Sequence, residues 1–167
     1  MLGKNDLLKR LEEWKIPFSC EEHEPVLNMA ESGTLELNMS GARCKNLLLQ
    51  DKKGHHFLVV TTAEKSLDLG MLSETLGSKR LSFASADRLF DLMGIRTGSL
   101  SPFALINDEA NQVRLVLDTD LAGESDFLFH PLENNASVLL SRDGLDCFLA
   151  GVDHPAQWLK LAARATA

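Results

Sequence analysis

The chain has 167 residues, of which 44% are hydrophobic, and a formal net charge of -7. This length and apolar content predict one domain over residues 1–167 with a single core. The acidic balance argues against a general duplex-DNA binder, but it leaves room for a few local cations at one end of a nucleic acid. Three cysteines without a CxxC pair, among five scattered histidines, predict a reduced cytoplasmic protein without a metal site.

The N-terminal half of the sequence predicts a helix, an edge strand and a hairpin. Asn5 or Asp6 can cap a first helix, whose apolar residues then share one face. The stretch "FSCEEHEPV" predicts an edge strand stopped by Pro25, and "NMAESGTLELN" a short helix or irregular segment. The runs "NLLLQD" and "HHFLVVTT" predict two buried strands joined by the turn "KKG".

The C-terminal half mixes helices with strands that come in hairpin-like runs. Gly77 is expected to end one helix, and Ser85 and Ser141 to cap two others. "FALIN" predicts a strand on which "VRLVLDTDL" pairs back, and "PAQWLKLAARA" predicts a final helix. Strands are also expected over "RLSFAS", "DFLFHPL" and "NASVLLS". Because the strands do not alternate regularly with helices, the pattern favours an α+β fold with a mixed, mainly antiparallel sheet.

Several kinds of chemistry are not indicated by any motif. The sequence has no GxGxxG or GxxxxGK[ST] phosphate loop and no GxSxG nucleophile elbow. Cys44 is a conceivable nucleophile, but its position in a strand predicts a buried, inert thiol. The carboxylates of "DEANQ" and "DTD" are expected to lie in solvated turns. No run is long enough to span a membrane, and the charged N-terminus does not resemble a secretory leader.

Lys45 lies at the start of a predicted buried strand, and two interpretations of its side chain are open. It can extend to solvent, or it can bind an anion or a carbonyl while partly desolvated; the residues alone favour solvent. The loop Gly98–Pro102 can form a nest of backbone N–H groups or an ordinary tight connection. His130 lies in an apolar run, where a satisfied core histidine is the more common case and an orienting hydrogen-bond partner the alternative.

The order of the motifs along the chain resembles one family. "CKNLLLQD", "VVTT", "LSFASADRLFDLMGIRTGSLSPFALIND", "VRLVLDTDL" and "FLFHPLENNASVLLS" are similar to free-standing aminoacyl-tRNA editing domains of the YbaK/ProX type. These domains are relatives of the insertion domain of bacterial prolyl-tRNA synthetase. The resemblance runs from about Pro25 to Leu149 and implies a mixed, curled β-sheet flanked by helices.

The resemblance also implies a subclass. Alanyl-tRNA(Pro) deacylases tend to show Lys-Asn where cysteinyl-tRNA(Pro) deacylases show Lys-Thr, and here the pair is Lys45-Asn46. The complete Gly-x-x-x-Pro loop followed by "FAL" is again similar to the alanyl type. The implied activity is cofactor-free hydrolysis of mischarged Ala-tRNA(Pro) in trans. A deacylase for Cys-tRNA(Pro), Ser-tRNA or Thr-tRNA, or a non-catalytic aminoacyl-tRNA-binding module, stays open.

Roles for individual residues follow from the same resemblance. Lys45 would be the essential lysine, aimed into the pocket for the aminoacylated 3′ end, and His130 would act beside it. The expected substrate-binding residues are Asn46, Gly98, Ser99, Leu100, Ser101 and Pro102, with Leu27 and Met29 as apolar walls. Five cations, each an ordinary surface charge when taken singly, would together grip the tRNA acceptor stem: Arg43, Lys52, Lys53, Lys79 and Arg80. We also expect a monomer that associates transiently with prolyl-tRNA synthetase and binds neither DNA nor membranes.

Overall fold

The computed structural model describes residues 1–25 and 37–165, and in that part of the chain eight strands form one mixed sheet. The strands are β1 (Ser19–Glu22), β2 (Ala42–Gln50), β3 (His56–Thr62), β4 (Ser82–Phe83), β5 (Val113–Asp118), β6 (Asp126–Phe129), β7 (Ala136–Ser141) and β8 (Gln157–Leu159). Seven are hydrogen-bonded in the order β1-β7-β6-β2-β3-β5-β8, and β4 pairs with β2 outside this row. Four described pairs are antiparallel and three parallel, which confirms the predicted α+β fold with a mixed sheet.

Helices flank the sheet, and local sequence signals set most of their ends. They are α1 (Lys4–Glu13), α2 (Leu69–Leu76), α3 (Ala86–Met93) and α4 (Arg142–Gly151). Ser85 and Ser141 each accept a backbone N–H from three residues later, and Gly77 ends α2 with φ 66°, as predicted. The expected cap of α1 is wrong: Gly3 is its N-cap, and the Asp6 carboxylate accepts the Gly3 N–H at 2.9 Å.

The central strands are buried on both faces. Successive residues of β3 pack alternately into two apolar clusters, with Leu58 and Val60 in the larger one and Phe57 and Val59 in the smaller one. Because side chains alternate across a strand, the unbroken apolar run "FLVV" is what a strand covered on both sides requires. The larger cluster also receives the apolar face of α1 that the sequence predicts.

The predicted strand over "FALIN" is instead a 3₁₀ helix, Pro102–Asn107. The Ser101 hydroxyl accepts the Phe103 N–H at 3.2 Å, and Pro102 occupies the first turn, so a cap and a preset φ begin a helix here. An apolar run that is buried on all sides does not distinguish a strand from a helix. The predicted hairpin is therefore also wrong, since β5 pairs in parallel with β3.

The predicted C-terminal helix is also wrong, because the segment forms β8. This strand pairs in parallel with β5 over Val116–Asp118 and covers an edge that would otherwise expose unpaired backbone groups. The Arg142 guanidinium packs 4.2 Å from the centroid of the Trp158 ring and holds the strand from one side. In residues 1–25 and 37–165, no helix has the length and hydropathy that a bilayer crossing needs.

Candidate functional site

The site begins at a gap beside β2. On one side, β3 pairs with β2 from Cys44 to Gln50. On the other side, β6 pairs only with Ala42 and Arg43, and β4 only with Leu49 and Gln50. Among the described strands, none pairs with residues 44–47 on that side. The edge of β2 that carries Lys45 and Asn46 is therefore placed for contact with something other than a strand.

A cavity of about 30 Å³ lies at this gap. It is lined by Leu37, Arg43, Cys44, Asn46, Leu128, Phe129, His130 and Ser137. Its volume is roughly that of two water-sized groups, at about 10–15 Å³ for each. Three predicted site residues, Arg43, Asn46 and His130, thus meet at one small space. Leu27 and Met29, the predicted walls, lie outside the described residues.

Asn46 lines the cavity and has a buried acceptor that is unpaired within the described part of the chain. Its side-chain Nδ2 donates to the Cys44 carbonyl at 3.4 Å. Its Oδ1 is buried and has no hydrogen-bond partner among the described residues. A buried polar atom left unpaired costs about 1–3 kcal/mol, so a ligand that donates a hydrogen bond here gains binding free energy.

His130 presents a neutral ring with a defined tautomer. Its Nδ1 lies 2.9 Å from the Ala136 carbonyl, and since a carbonyl only accepts, Nδ1 carries the proton. Burial lowers the pKa of His130 below its ordinary value; the Ala136 hydrogen bond opposes this shift, and the neighbouring His23 adds to it. The ring is therefore neutral near pH 7, with Nε2 as its acceptor.

The loop Gly98–Pro102 is tied to the strand end that carries His130. The buried Ser101 donates its hydroxyl proton to the His130 carbonyl at 2.7 Å. Gly98 has φ 92°, a conformation that favours glycine and supports the expected backbone turn. The Ser99 N–H donates to the Arg96 carbonyl at 3.1 Å, so a nest for an oxyanion has to use other N–H groups of the loop.

Lys45 is held on the other side of the strand. Alternate residues of a strand face the same side, so Lys45 is on the side of Leu47 and Leu49, which pack in the smaller cluster. Lys45 does not line the small cavity. Its Nζ donates to the Lys65 carbonyl at 2.8 Å. The Lys45 side chain is partly buried, and its ammonium meets a backbone carbonyl of the protein itself. Its catalytic role stays a prediction.

Sequence reasoning missed the residues around Lys65. The Lys65 Nζ lies 2.7 Å from both Asp118 Oδ2 and Asp120 Oδ2. The expectation that "DTD" is a solvated turn is wrong for Asp118, which is fully buried. Asp108 of "DEANQ" is buried as well, 2.8 Å from His154. Asp118 directly follows an apolar strand run, and that position was the available signal.

Sequence reasoning also missed Ser137, which lies on β7 and lines the small cavity. Its hydroxyl is 2.9 Å from His23 Nε2. Cys44 is buried, and burial raises the pKa of its thiol to about 12. That thiol is protonated near neutral pH, in agreement with the prediction of an inert cysteine.

The predicted tRNA-binding cations fall into two places. Gln50 pairs with Ser82, so the turn after β2 runs beside the segment before β4. This brings Lys52 and Lys53 to the same end of β2 as Lys79 and Arg80, and all four are exposed. Arg43 is at the opposite end of the strand, against the cavity. No group of three or more His, Cys, Asp or Glu residues in the described ranges could hold a metal ion.

Comparison with known proteins decides the family. The sequence matches the aminoacyl-tRNA editing domain family over residues 23–147. The chain belongs to that family. The match covers β2, the loop Gly98–Pro102 and His130, so the resemblance drawn from the motifs is confirmed.

Individual relatives agree with this assignment. The chain is 38% identical over 147 residues to the prolyl-tRNA editing protein ProX of Acetoanaerobium sticklandii, covering 87% of this chain and 90% of the relative. It is 35% identical over 155 residues to the prolyl-tRNA synthetase associated domain-containing protein 1 of Danio rerio, covering 89% and 84%. The prediction of an aminoacyl-tRNA deacylase of the prolyl-tRNA editing family is confirmed at this level.

The fold has solved counterparts. One is described as a candidate trans-editing enzyme for prolyl tRNA synthetase, with a TM-score of 0.69 and 18% identity, covering 98% of this chain and 99% of that one. At that identity the likeness concerns the fold alone. It supports the arrangement of strands and helices described above.

Proposed function

We propose that this chain hydrolyses Ala-tRNA(Pro) in trans, releasing alanine and free tRNA(Pro). The observation that carries the proposal is the 30 Å³ cavity at the β2 edge, lined by Asn46, whose buried Oδ1 has no hydrogen-bond partner among the described residues. A space of that size accepts a methyl side chain more readily than a pyrrolidine ring. The Lys45-Asn46 pair and the likeness to ProX support the choice of alanine on tRNA(Pro).

Hydrolysis of the aminoacyl ester needs few catalytic groups from the protein. The ester between an amino acid and the terminal ribose is activated, so positioning, a water molecule and stabilisation of oxyanion charge suffice. The protonated Cys44 thiol is not a nucleophile at neutral pH. Water is therefore the proposed nucleophile, with the terminal 2′-hydroxyl as its assistant.

Each site residue has a proposed task. Lys45 lies on the face of β2 opposite the cavity, so its proposed task is to bind the terminal phosphate or the ester oxygen where the substrate crosses the open strand edge, with the donors that the Lys65 carbonyl leaves available. Asn46 Oδ1 and the neutral His130 Nε2 accept hydrogen bonds from the substrate ammonium or the ribose hydroxyl and so orient the ester. The loop Gly98–Pro102 contacts the aminoacyl carbonyl. Leu27 and Met29, which lie outside the described residues, stay the predicted apolar walls of the pocket.

Selection of alanine rests on steric exclusion. An extra methylene in a permissive pocket changes binding by only about 1–3 kcal/mol, which is too little to spare the abundant Pro-tRNA(Pro). A small, closely lined cavity excludes proline instead. The cations at the Gln50 end of β2, together with Arg43, grip the acceptor stem, and a transient association with prolyl-tRNA synthetase delivers the substrate.

A deacylation time course tests the proposal. Purified protein is incubated with Ala-tRNA(Pro), Cys-tRNA(Pro) and Pro-tRNA(Pro), and spontaneous hydrolysis without protein is subtracted. We expect fast release of alanine and intact Pro-tRNA(Pro). Release of cysteine instead would retain the family and overturn the assignment of alanine. If the folded protein binds the three aminoacyl-tRNAs but releases no amino acid from any of them, it is a non-catalytic binding module.

A further inference from the structure

Lys45 is connected to a second lysine through the backbone. Its ammonium donates to the carbonyl oxygen of Lys65, 2.8 Å away, and Lys65 lies in the turn that follows β3. The backbone of this turn has a hydrogen bond of its own, from the Lys65 N–H to the Thr62 carbonyl at 3.3 Å. The position of the Lys65 carbonyl therefore determines where the Lys45 ammonium is held.

The side chain of Lys65 fixes that turn from the inside. Its Nζ donates to Asp118 Oδ2 and Asp120 Oδ2, each at 2.7 Å, and to the Leu161 carbonyl at 2.9 Å. An ammonium group has three donors, and all three are used here. The Lys65 side chain is only 12% exposed, and Asp118 is completely buried.

Asp118 is fixed in turn by the two strands around it. Its Oδ2 also accepts the Thr61 hydroxyl at 2.6 Å, and its Oδ1 accepts the Asp120 N–H at 3.0 Å. Thr61 is the register partner of Lys45 on the neighbouring strand. The ion pair thus links the ends of β3 and β5 directly beside the strand position of Lys45.

The pair stays charged over the neutral pH range. Burial lowers the pKa of Lys65, but the hydrogen bonds to Asp118 and Asp120 outweigh it and hold the pKa above its ordinary value. Burial raises the pKa of Asp118, but the hydrogen bonds from Lys65 and Thr61 outweigh it and hold the pKa below its ordinary value. Ionic attraction therefore constrains the turn under the conditions in which translation takes place.

We infer that Lys65 and Asp118 are positioning residues for Lys45: their buried ion pair fixes the Lys65 carbonyl, which holds the Lys45 ammonium in one direction. This inference rests on the proposed catalytic role of Lys45. One ammonium donor is committed to the Lys65 carbonyl; within residues 1–25 and 37–165 the ammonium has no second hydrogen bond, so two donors stay for the substrate. Without the pair, the Lys65 carbonyl samples other positions and the ammonium loses its fixed direction.

The test compares two buried hydrogen-bonded pairs. Lys65→Met with Asp118→Asn removes the positioning pair without leaving a lone buried charge, which keeps folding feasible. The control, His154→Gln with Asp108→Asn, removes a buried pair of similar length, 2.8 Å, that does not contact Lys45. Thr61→Val is a milder variant that keeps the ion pair and removes one hydrogen bond to Asp118. Thermal unfolding of each variant establishes that it is folded.

Steady-state kinetics on Ala-tRNA(Pro) provide the first readout. Misplacing a catalytic group by about 1 Å costs up to about 100-fold, so we expect kcat to fall about 10- to 100-fold with KM changed less than about twofold. Thr61→Val should show a smaller fall, and the control pair should leave kcat within about twofold of the unsubstituted protein. An unchanged kcat in the folded Lys65→Met/Asp118→Asn protein, or an equal fall in the control, would overturn the inference.

The Lys45→Ala background separates this inference from the proposed function. If Lys45→Ala keeps full activity, the catalytic assignment of Lys45 fails, whatever Lys65 does. If Lys45→Ala is impaired, adding the Lys65 and Asp118 substitutions should cause no further loss. Side-chain ammonium NMR spectra, with the Lys45 signal assigned by Lys45→Arg, give a readout without turnover. We expect the hydrogen-bonded Lys45 signal to persist in the control pair and to exchange faster in the positioning-pair variant; an unchanged signal there would contradict the inference.

Discussion

Lys45 and Asn46 are neighbours in β2, yet their side chains lie in contrasting surroundings. Around Lys45, most polar groups are paired: its ammonium makes one hydrogen bond, the Lys65 ammonium uses all three donors, and both oxygens of Asp118 have partners. Around Asn46, a buried amide oxygen has no partner among the described residues. One face of the strand is thus organised as a rigid support. The other keeps an acceptor for which a substrate can supply the donor.

The contrast explains how one short stretch can combine stability with function. Fully paired buried groups stabilise a geometry, whereas an unpaired one lowers stability and raises the affinity for a donor. Removing a paired group on the Lys45 face should therefore lower the free energy of unfolding, and removing the unpaired amide of Asn46 should raise it. Each experiment below breaks or sharpens that comparison.

The largest stability effect is expected on the paired face. Asp118→Ala removes a fully buried carboxylate from Lys65 and should lower the free energy of unfolding by about 3 kcal/mol, as for other broken buried pairs. Asp120→Ala removes a carboxylate at the same 2.7 Å distance whose side chain is 49% exposed, and should cost less than about 1 kcal/mol. Urea unfolding measures both values. Equal losses would show that burial does not distinguish the two carboxylates.

A smaller effect of opposite sign is expected on the Asn46 face. Asn46→Leu removes the oxygen that has no partner in the described part of the chain, and it should raise the free energy of unfolding by about 1 kcal/mol while slowing alanine release. The matched control is Asn107→Leu, because the Asn107 amide has partners in Leu2 and Met93. That control should destabilise the protein in the same urea experiment. Destabilisation by Asn46→Leu would mean that Oδ1 is satisfied after all.

The pH dependence of deacylation tests the state of His130. Burial holds the pKa of His130 below its ordinary value of 6.5, so the ring is neutral at and above pH 6.5 and is protonated only at lower pH. We expect kcat, corrected for spontaneous hydrolysis, to be level from about pH 8 to 6.5 and to decline below it as Nε2 is protonated. The stability that neutral His130 contributes follows the same sign: it is present above pH 6.5 and is lost on acidification. A decline that begins well above pH 6.5 would contradict this state.

The smallest effect is expected at the exposed cations. Lys52→Ala with Lys53→Ala should raise KM for Ala-tRNA(Pro) about two- to fivefold at low salt, since exposed ion pairs are worth about 0.2–1 kcal/mol each. The difference should disappear at high salt. Lys9→Ala with Lys160→Ala changes the net charge equally at exposed positions elsewhere and should leave KM unchanged. The same increase in both proteins would indicate a general charge effect without a local grip.

Sequence reasoning succeeded where the deciding signal is local. Ser85 and Ser141 begin helices and Gly77 ends one, each through contacts within four residues. A turn between two apolar runs suffices to predict the β2–β3 hairpin. Motif order identified the family because the stretches that carry it span most of the chain. It also pointed to Asn46 and His130, which the structure brings to one cavity.

Sequence reasoning failed where a distant partner decides. The segment of β8 has the apolar spacing of a helix but completes the edge of β5. Asp118 is the last residue of β5, a position where many solvated acids lie, and only Lys65 and Thr61, which are 53 and 57 residues away, explain its burial. The direction of Lys45 depends in the same way on a turn carbonyl that no local motif encodes.

The most direct test of the account is the deacylation rate of Lys45→Ala beside that of Lys52→Ala. Both substitutions remove one lysine ammonium, but Lys45 is held at the β2 edge whereas Lys52 is exposed in the turn. The account predicts that folded Lys45→Ala loses about 100-fold or more in the rate of alanine release, as when an oxyanion-stabilising donor is removed. Lys52→Ala should stay within a few-fold. A folded Lys45→Ala protein that releases alanine at the full rate would contradict the account.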